Sequence, residues 1–182
     1  MKIKDKIVMG FWHNIDKKNR LLPNIPLMSI KSFIGNCKEY QLYSYQKFDN
    51  VPSGCKLMDA REILPEKDLF IHKSGSLAVF SDYFRIYLLL KNHDAIWSDT
   101  DNIFVKDGFD KNVVVIQQDG RIQSSFLYFG ESEIGDKIRT CAKQFADDPI
   151  KFRIYDSLKM RRFKLDGLLY KMRTSGKYDV RS

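Results

Sequence analysis

Residues 6 to 45 hold the order that most constrains what this chain can fold into. Lys6-Ile7-Val8-Met9-Gly10-Phe11-Trp12 is a short apolar run with strand character, and it gives way to a polar loop from His13 to Arg20. Pro23 and Pro26 punctuate that loop. Pro26 suits the first turn of a helix, and Leu27, Ile30, Phe33 and Ile34 then recur at helical spacing until Gly35-Asn36 ends the segment. Tyr40 to Tyr45 reads as a second strand rich in β-favouring aromatics. Strand, helix, strand is the opening of an α/β unit.

The rest of the chain extends the same pattern. After a loop from Gln46 to Gly54, Asp59 is placed to cap a helix of one or two turns through Leu64, stopped by Pro65. The spacing of Leu77, Phe80, Phe84, Tyr87, Leu88 and Leu90 predicts a longer helix from about Gly75 to Asn92 with a broad apolar face. Ala95-Ile96-Trp97-Ser98 is a short, buried-looking strand that delivers the chain into Asp99-Thr100-Asp101. Asn112 to Gln118 and Ile122 to Phe129 read as two strands joined by Asp119-Gly120, a hairpin turn signal. Glu131 to Phe145 reads as a helix ended by Asp147-Asp148-Pro149, and Ile154 to Met172 as another. No internal repeat, low-complexity stretch or linker interrupts the sequence.

With 182 residues, 43% hydrophobic and 30% charged, the chain fits one self-standing α/β domain rather than a disordered or membrane-embedded class. Its longest greasy run, Tyr87 to Leu90, is far short of the roughly 20 residues a bilayer span needs, and Met1 to Lys6 has no signal-peptide core. A cytoplasmic location is expected. Cys37, Cys55 and Cys141 match neither a disulfide framework nor a zinc-ligand spacing, and are expected to be reduced, packed thiols. The net charge is +8, concentrated in the last residues, where 151–182 hold ten Lys/Arg against three Asp.

Chemistry centres on Asp99-Thr100-Asp101. Two carboxylates at i and i+2 past a buried strand can hold a hard cation through oxygen, and Mn²⁺ or Mg²⁺ would leave positions there for substrate phosphate. Such an ion bridges a diphosphate and neutralises charge on the leaving group. Alone the motif is weak: about one residue in ten is Asp, so Asp-x-Asp arises by chance and usually marks a solvated turn. Its setting adds weight, with an apolar strand and a Trp before it and Asp107 and Asp110 after it.

Ser81-Asp82 with Arg85 is the second constellation. Asp82 and Arg85, three apart on the long helix, share a face with Ala78 and can grip sugar hydroxyls; the plain alternative is a surface salt bridge worth a few tenths of a kcal/mol. Trp12 and His13 end the first strand, where open α/β sheets place ligands, so Trp12 can stack on a nucleobase or simply belong to the core. His13, His72 and His93 do not cluster, which argues against a histidine metal site, and there is no Gly-rich phosphate loop or serine-nucleophile motif.

Taken together, these segments resemble the DXD-type glycosyltransferase family 32, which includes yeast initiating mannosyltransferases and bacterial capsular sugar transferases and is distantly similar to the glucosylating toxins. The resemblance runs in order through Gly10-Phe11-Trp12-His13, Ser29-Ile30-Lys31-Ser32-Phe33, Tyr40-Gln41-Leu42-Tyr43-Ser44-Tyr45 and Asp59-Ala60-Arg61-Glu62-Ile63-Leu64-Pro65. It is strongest over Phe80-Ser81-Asp82-Tyr83-Phe84-Arg85 and Ile96-Trp97-Ser98-Asp99-Thr100-Asp101, and covers roughly the first 110 residues. It implies a GT-A type nucleotide-diphospho-sugar transferase fold and a retaining transfer from a UDP- or GDP-sugar to a glycan or lipid-linked acceptor. On the same footing Asp101 is implied as the direct metal ligand, and Asp99 as a contact to ribose or to the metal through water. Asp82 and Arg85 are implied to hold the donor sugar, with Trp12 on the base and His13 and Ser81 beside it.

The sequence departs from that pattern in three respects. Asp94-Ala95 stand where the family has a Gly-Gly pair, which is expected to keep the backbone further from the site. Trp12 and Trp97 are its only tryptophans, so no late Trp closes over the diphosphate, and the chain is short for the family. The expected division is a donor and metal half over 1–110, remaining sheet and helix over 111–150, and a basic tail over 151–182. In the tail, Ile154, Tyr155, Leu158, Leu165, Leu168, Leu169 and Met172 fall near one helical face among basic residues. A basic amphipathic helix suits peripheral contact with the inner face of an anionic membrane, or packing on the core. Two other readings are open: sugar transfer to modified DNA bases, with the tail on nucleic acid, and a non-catalytic nucleotide-sugar-binding remnant.

Overall fold

The computed structural model describes residues 2–72, 74–105, 114–118 and 121–130, together with Asp136, Arg139, Thr140 and Lys143. A six-stranded sheet organises it, in the order β3-β2-β1-β4-β6-β5. Strands β1 (Ile7–Phe11), β2 (Glu39–Ser44), β3 (Cys55–Asp59) and β4 (Ile96–Ser98) run parallel. Strand β6 (Arg121–Tyr128) pairs antiparallel with β4 and with β5 (Val114–Gln118). Helix α1 (Asn24–Phe33) joins β1 to β2, and α2 (Ala78–Lys91) joins β3 to β4.

Successive side chains of these strands point to opposite faces, and each face is buried, as a parallel sheet requires. Val8, Tyr40, Leu42, Ile96, Phe126 and Tyr128 pack with Ile30 and Phe33 of α1. Met9, Phe11, Tyr43, Trp97 and Leu127 pack with Phe80, Phe84, Leu88 and Leu89 of α2. Trp97, Phe33, Phe80 and Phe84 are among the largest fully buried side chains. At about 25 cal/mol per Å² of apolar surface, such rings supply much of what holds the two helices on the sheet.

The expected strand–helix–strand opening is present, with Pro26 in the first turn of α1, where its missing N–H costs nothing, and Gly35 at φ +83 just past its end. The hairpin strands are also present, with a bulge between Val115 and Ile116; the turn at 119–120 lies outside the described residues. Two details differ. Cys55–Asp59, to which the sequence pattern assigns no element before the cap at Asp59, is a strand on the sheet edge. Asp59 does act as a cap, accepting from the Arg61 amide at 2.9 Å, but the capped element is a single 3-10 turn, Ala60–Glu62, and not an α-helix. Of the helix expected over 131–145, Asp136, Arg139, Thr140 and Lys143 are described and helical. The basic tail, Cys141, Asp107 and Asp110 lie outside the described residues. Within those residues no helix is long and apolar enough to cross a membrane.

The chain runs outward from β1 through β2 to β3 and then returns across β1 to lay down β4. That reversal makes the crevice between the carboxyl ends of β1 and β4 the topological switch point, the place where open α/β sheets bind ligands.

Candidate functional site

A cleft of about 500 Å³ opens at this switch point. Phe11 to Ile15 line one side, Gly75 to Ala78 with Ser81 and Asp82 another, and Asp99, Thr100 and Asp101 its floor. The structure therefore brings together Trp12, His13, Ser81, Asp82, Asp99 and Asp101.

Asp99 leaves β4 tied to the sheet. Its amide donates to the Ser125 carbonyl at 2.7 Å, and Asn102 donates from Nδ2 to the same carbonyl at 2.7 Å while its own amide reaches back to the Asp99 carbonyl. The Asp99 carboxylate accepts from Trp97 Nε1 at 2.6 Å and meets Arg85 Nη1 at 3.5 Å. Arg85 Nη2 reaches the Asp82 carboxylate at 2.6 Å. Only 8% of the Arg85 side chain is exposed, against about a third for its two carboxylates. Arg85 thus lies behind Asp82 and Asp99 and does not line the cleft; it fixes the carboxylates that do.

Burial pushes the Asp99 carboxyl up to about 6, with the Asp82 and Asp101 charges adding to the rise and Arg85 and the Trp97 indole opposing it. Asp101 is exposed and makes no hydrogen bond or ion pair among the described residues, so its oxygens are free to face a ligand. His13 is buried against the edge of Tyr45, with ring centroids 5.8 Å apart, and its Nδ1 has no partner among the described residues. Burial lowers its pKa, and nearby Lys17 adds to the effect, so the imidazole is neutral at pH 7. Trp12 packs partly on the α1-side core and partly on the cleft wall.

No group of three or more His, Cys, Asp or Glu among the described residues could cage a metal. The donor set still fits Mn²⁺ or Mg²⁺ of the kind that is bound through one or two carboxylates plus substrate phosphates and water. Asp101 supplies the free oxygens, and Asp99 stands two residues away with one oxygen already engaged.

The Asp94-Ala95 pair sits elsewhere than expected. Asp94 pairs with Lys6 and accepts from Tyr128 Oη at 3.0 Å, all at the end of the sheet where β1 and β4 begin, opposite the cleft. It does not hold the backbone away from the site. The close approach is made instead at Gly10, where an added Cβ would meet Tyr40 Oη at 2.7 Å and the Ser98 carbonyl at 3.1 Å.

Asn102 and Asn14 are structural partners of the site that the motifs do not contain, and Trp97, which lies within the Ile96 to Asp101 motif, holds Asp99 by a bond the motif does not state. Trp97 had a legible signal, since residues two apart at the end of a strand share a face. Trp97→Phe keeps most of the ring area and removes the bond to a charged acceptor. It is expected to cost about 2 kcal/mol in urea denaturation at pH 7.5. A loss below about 0.5 kcal/mol would show that Asp99 does not depend on the indole.

A mostly parallel sheet between α1 and α2, with an acidic turn at the switch point, makes this an α/β fold with its candidate ligand site at the carboxyl ends of the strands. Among solved structures the chain is similar to the PaToxG glycosyltransferase, with a TM-score of 0.52, 15% sequence identity, and coverage of 92% of this chain and 68% of that one. At that identity the likeness bears on the fold alone, a glycosyltransferase-like α/β fold. No family model matches the sequence, and no curated protein matches it.

Proposed function

We propose that this chain is a metal-dependent, retaining glycosyltransferase that moves a sugar from a UDP- or GDP-sugar to a glycan or lipid-linked acceptor. The observation that carries the reading is the pairing of Asp101, unpartnered among the described residues, with an Asp82–Arg85–Asp99 assembly at one cleft on the switch point. In the transfer, the bond from the anomeric carbon to the diphosphate oxygen breaks with its electrons on that oxygen. The acceptor hydroxyl oxygen bonds to the same carbon and gives its proton to the departing diphosphate oxygen. Asp101, with Asp99 beside it, would hold a Mn²⁺ or Mg²⁺ ion, whose charge would neutralise the departing diphosphate.

The protein's own groups bind and orient. Asp82 and Asp99, held by Arg85, present carboxylate oxygens as acceptors for sugar or ribose hydroxyls. Because Arg85 fixes both in advance, little ordering remains when the donor arrives. Trp12 offers its ring to the base, Ser81 a hydroxyl, and neutral His13 an imidazole that can donate and accept. The reading of a non-catalytic remnant loses the support of Asp94-Ala95, since that pair lies at the far end of the sheet.

The test is thermal unfolding with a panel of nucleotide sugars, with and without Mn²⁺, on the wild type and Asp101→Ala. At about 100 times Kd one donor should add roughly 2.7 kcal/mol, a rise in Tm of about 5–10 °C. The rise should need the metal and vanish in Asp101→Ala. No rise with any donor would overturn the proposal.

A further inference from the structure

We infer that Asn14 is a positioning residue for nucleobase recognition: it locks the Trp12 indole into a fixed stacking platform on the cleft wall. The inference rests on the donor reading above and assigns a residue to it that no motif contains.

Asn14 is only 9% exposed, and its side-chain amide is fully used. Its Oδ1 accepts from Trp12 Nε1 at 2.9 Å, while Nδ2 donates to the carbonyls of Asn19 at 2.8 Å and Leu21 at 2.9 Å. One acceptor bond and two donor bonds fix the amide's orientation unambiguously, since the flipped group would set an N–H against the indole N–H. Gln46 holds the same corner from just past the end of the second strand, with Oε1 accepting from the Asn14 backbone N–H at 3.2 Å and Nε2 donating to the Asn19 carbonyl at 2.9 Å.

The indole is thereby held at two places. One part packs on the α1-side core, and its only polar atom is bound to Asn14. What is left to the cleft is a ring surface, and a ring surface without a free hydrogen-bonding group recognises another flat ring by stacking. A side chain free to rotate would lose affinity by being ordered on binding, and Asn14 orders this one beforehand. The occupant that fits is the purine or pyrimidine of a nucleoside diphosphate whose phosphates reach Asp101 across the same cleft.

The experiment is calorimetric titration of UDP and of GDP, each with Mn²⁺, into four proteins: wild type, Asn14→Ala, Trp12→Phe and the double variant. Asn14→Ala should bind about tenfold more weakly than wild type, or about 1.4 kcal/mol. The double variant should bind no more weakly than Trp12→Phe, because the lost bond is already absent there. An equal loss in both backgrounds would mean that Asn14 acts through the loop alone, and would overturn the inference; so would undiminished binding by Asn14→Ala. Acrylamide quenching gives a second readout. Trp97 is fully buried and shielded, so a rise in quenching of Asn14→Ala over wild type reports release of Trp12, and no rise would count against the lock. If the wild type binds neither nucleotide, the donor reading itself falls and takes this inference with it, whereas failure confined to the variants leaves the donor reading standing.

Discussion

Arg85→Met is expected to lower stability by about 3 kcal/mol at pH 7.5 and by much less near pH 4.5. The guanidinium is almost wholly buried and bonds two carboxylates, at 2.6 Å and 3.5 Å. Methionine fills a similar volume but leaves Asp82 and Asp99 facing each other without that counter-charge. Both are about a third exposed, which puts the cost at the low end of the range for a broken buried pair. The sign of the pH effect follows from Asp99. Its folded pKa, about 6, already exceeds the ordinary carboxyl value of 3.8, and losing Arg85 raises it further. The folded state then binds the proton more tightly than the unfolded chain does. The penalty relative to the wild type is therefore full above the variant's folded pKa and fades as pH falls below about 6, the wild-type value. Urea denaturation at the two pH values checks this, and adding Asp99→Asn should recover most of the loss at pH 7.5. A deficit independent of pH would point to poor packing of methionine instead.

Gly10→Ala is expected to cost about 2–3 kcal/mol, with part of that cost removed by Tyr40→Phe. Glycine is needed at this position in β1 because the Tyr40 hydroxyl, the Ser98 carbonyl and Thr100 Cγ2 close on the place where a Cβ would stand. Tyr40 is 1% exposed and its hydroxyl has no partner among the described residues, so Tyr40→Phe alone should be neutral or slightly stabilising. Together the two changes should be better than additive by about 1 kcal/mol. Strict additivity in denaturation midpoints would identify the Ser98 backbone, not the hydroxyl, as the obstructing wall. The same variant reaches the site, because pushing Ser98 and Thr100 outward displaces the two aspartates that flank Thr100. Donor-induced stabilisation should therefore shrink in Gly10→Ala.

Much of this arrangement was legible in the residues, and what escaped did so for physical reasons. The strands that carry the site announce themselves through continuous apolar runs, as buried parallel strands do. Strand β3 did not, because Cys55-Lys56-Leu57-Met58-Asp59 lies at the sheet edge with only partial burial, so nothing forces a run of β-branched or aromatic residues there. Asp99 and Asp101 stood out as carboxylates just past a buried strand, and Asp82 by its helical spacing to Arg85. The location of Arg85 was not legible, since helical spacing places it beside Asp82 but cannot say which of the two faces the cleft. Trp97 and Asn14 each stand two residues from the group they hold, a relation visible only once the strand ends are known. Asn102 reaches the Ser125 carbonyl 23 residues away and leaves no local trace at all.

The reversal of the chain between β1 and β4 also sets when the site comes into being. Lys6 and Asp94, which meet where these two strands begin, are 88 residues apart in sequence. Bringing such distant segments together costs loop entropy before any contact rewards it, so pairings of this kind form late as a chain folds. The β2–β3 sheet edge and the helices can be laid down by nearer neighbours, but the walls of the cleft meet only when the sheet closes. A partly folded form of the chain therefore holds neither wall of the cleft in place, and the cleft takes shape only when this long-range strand pairing is made.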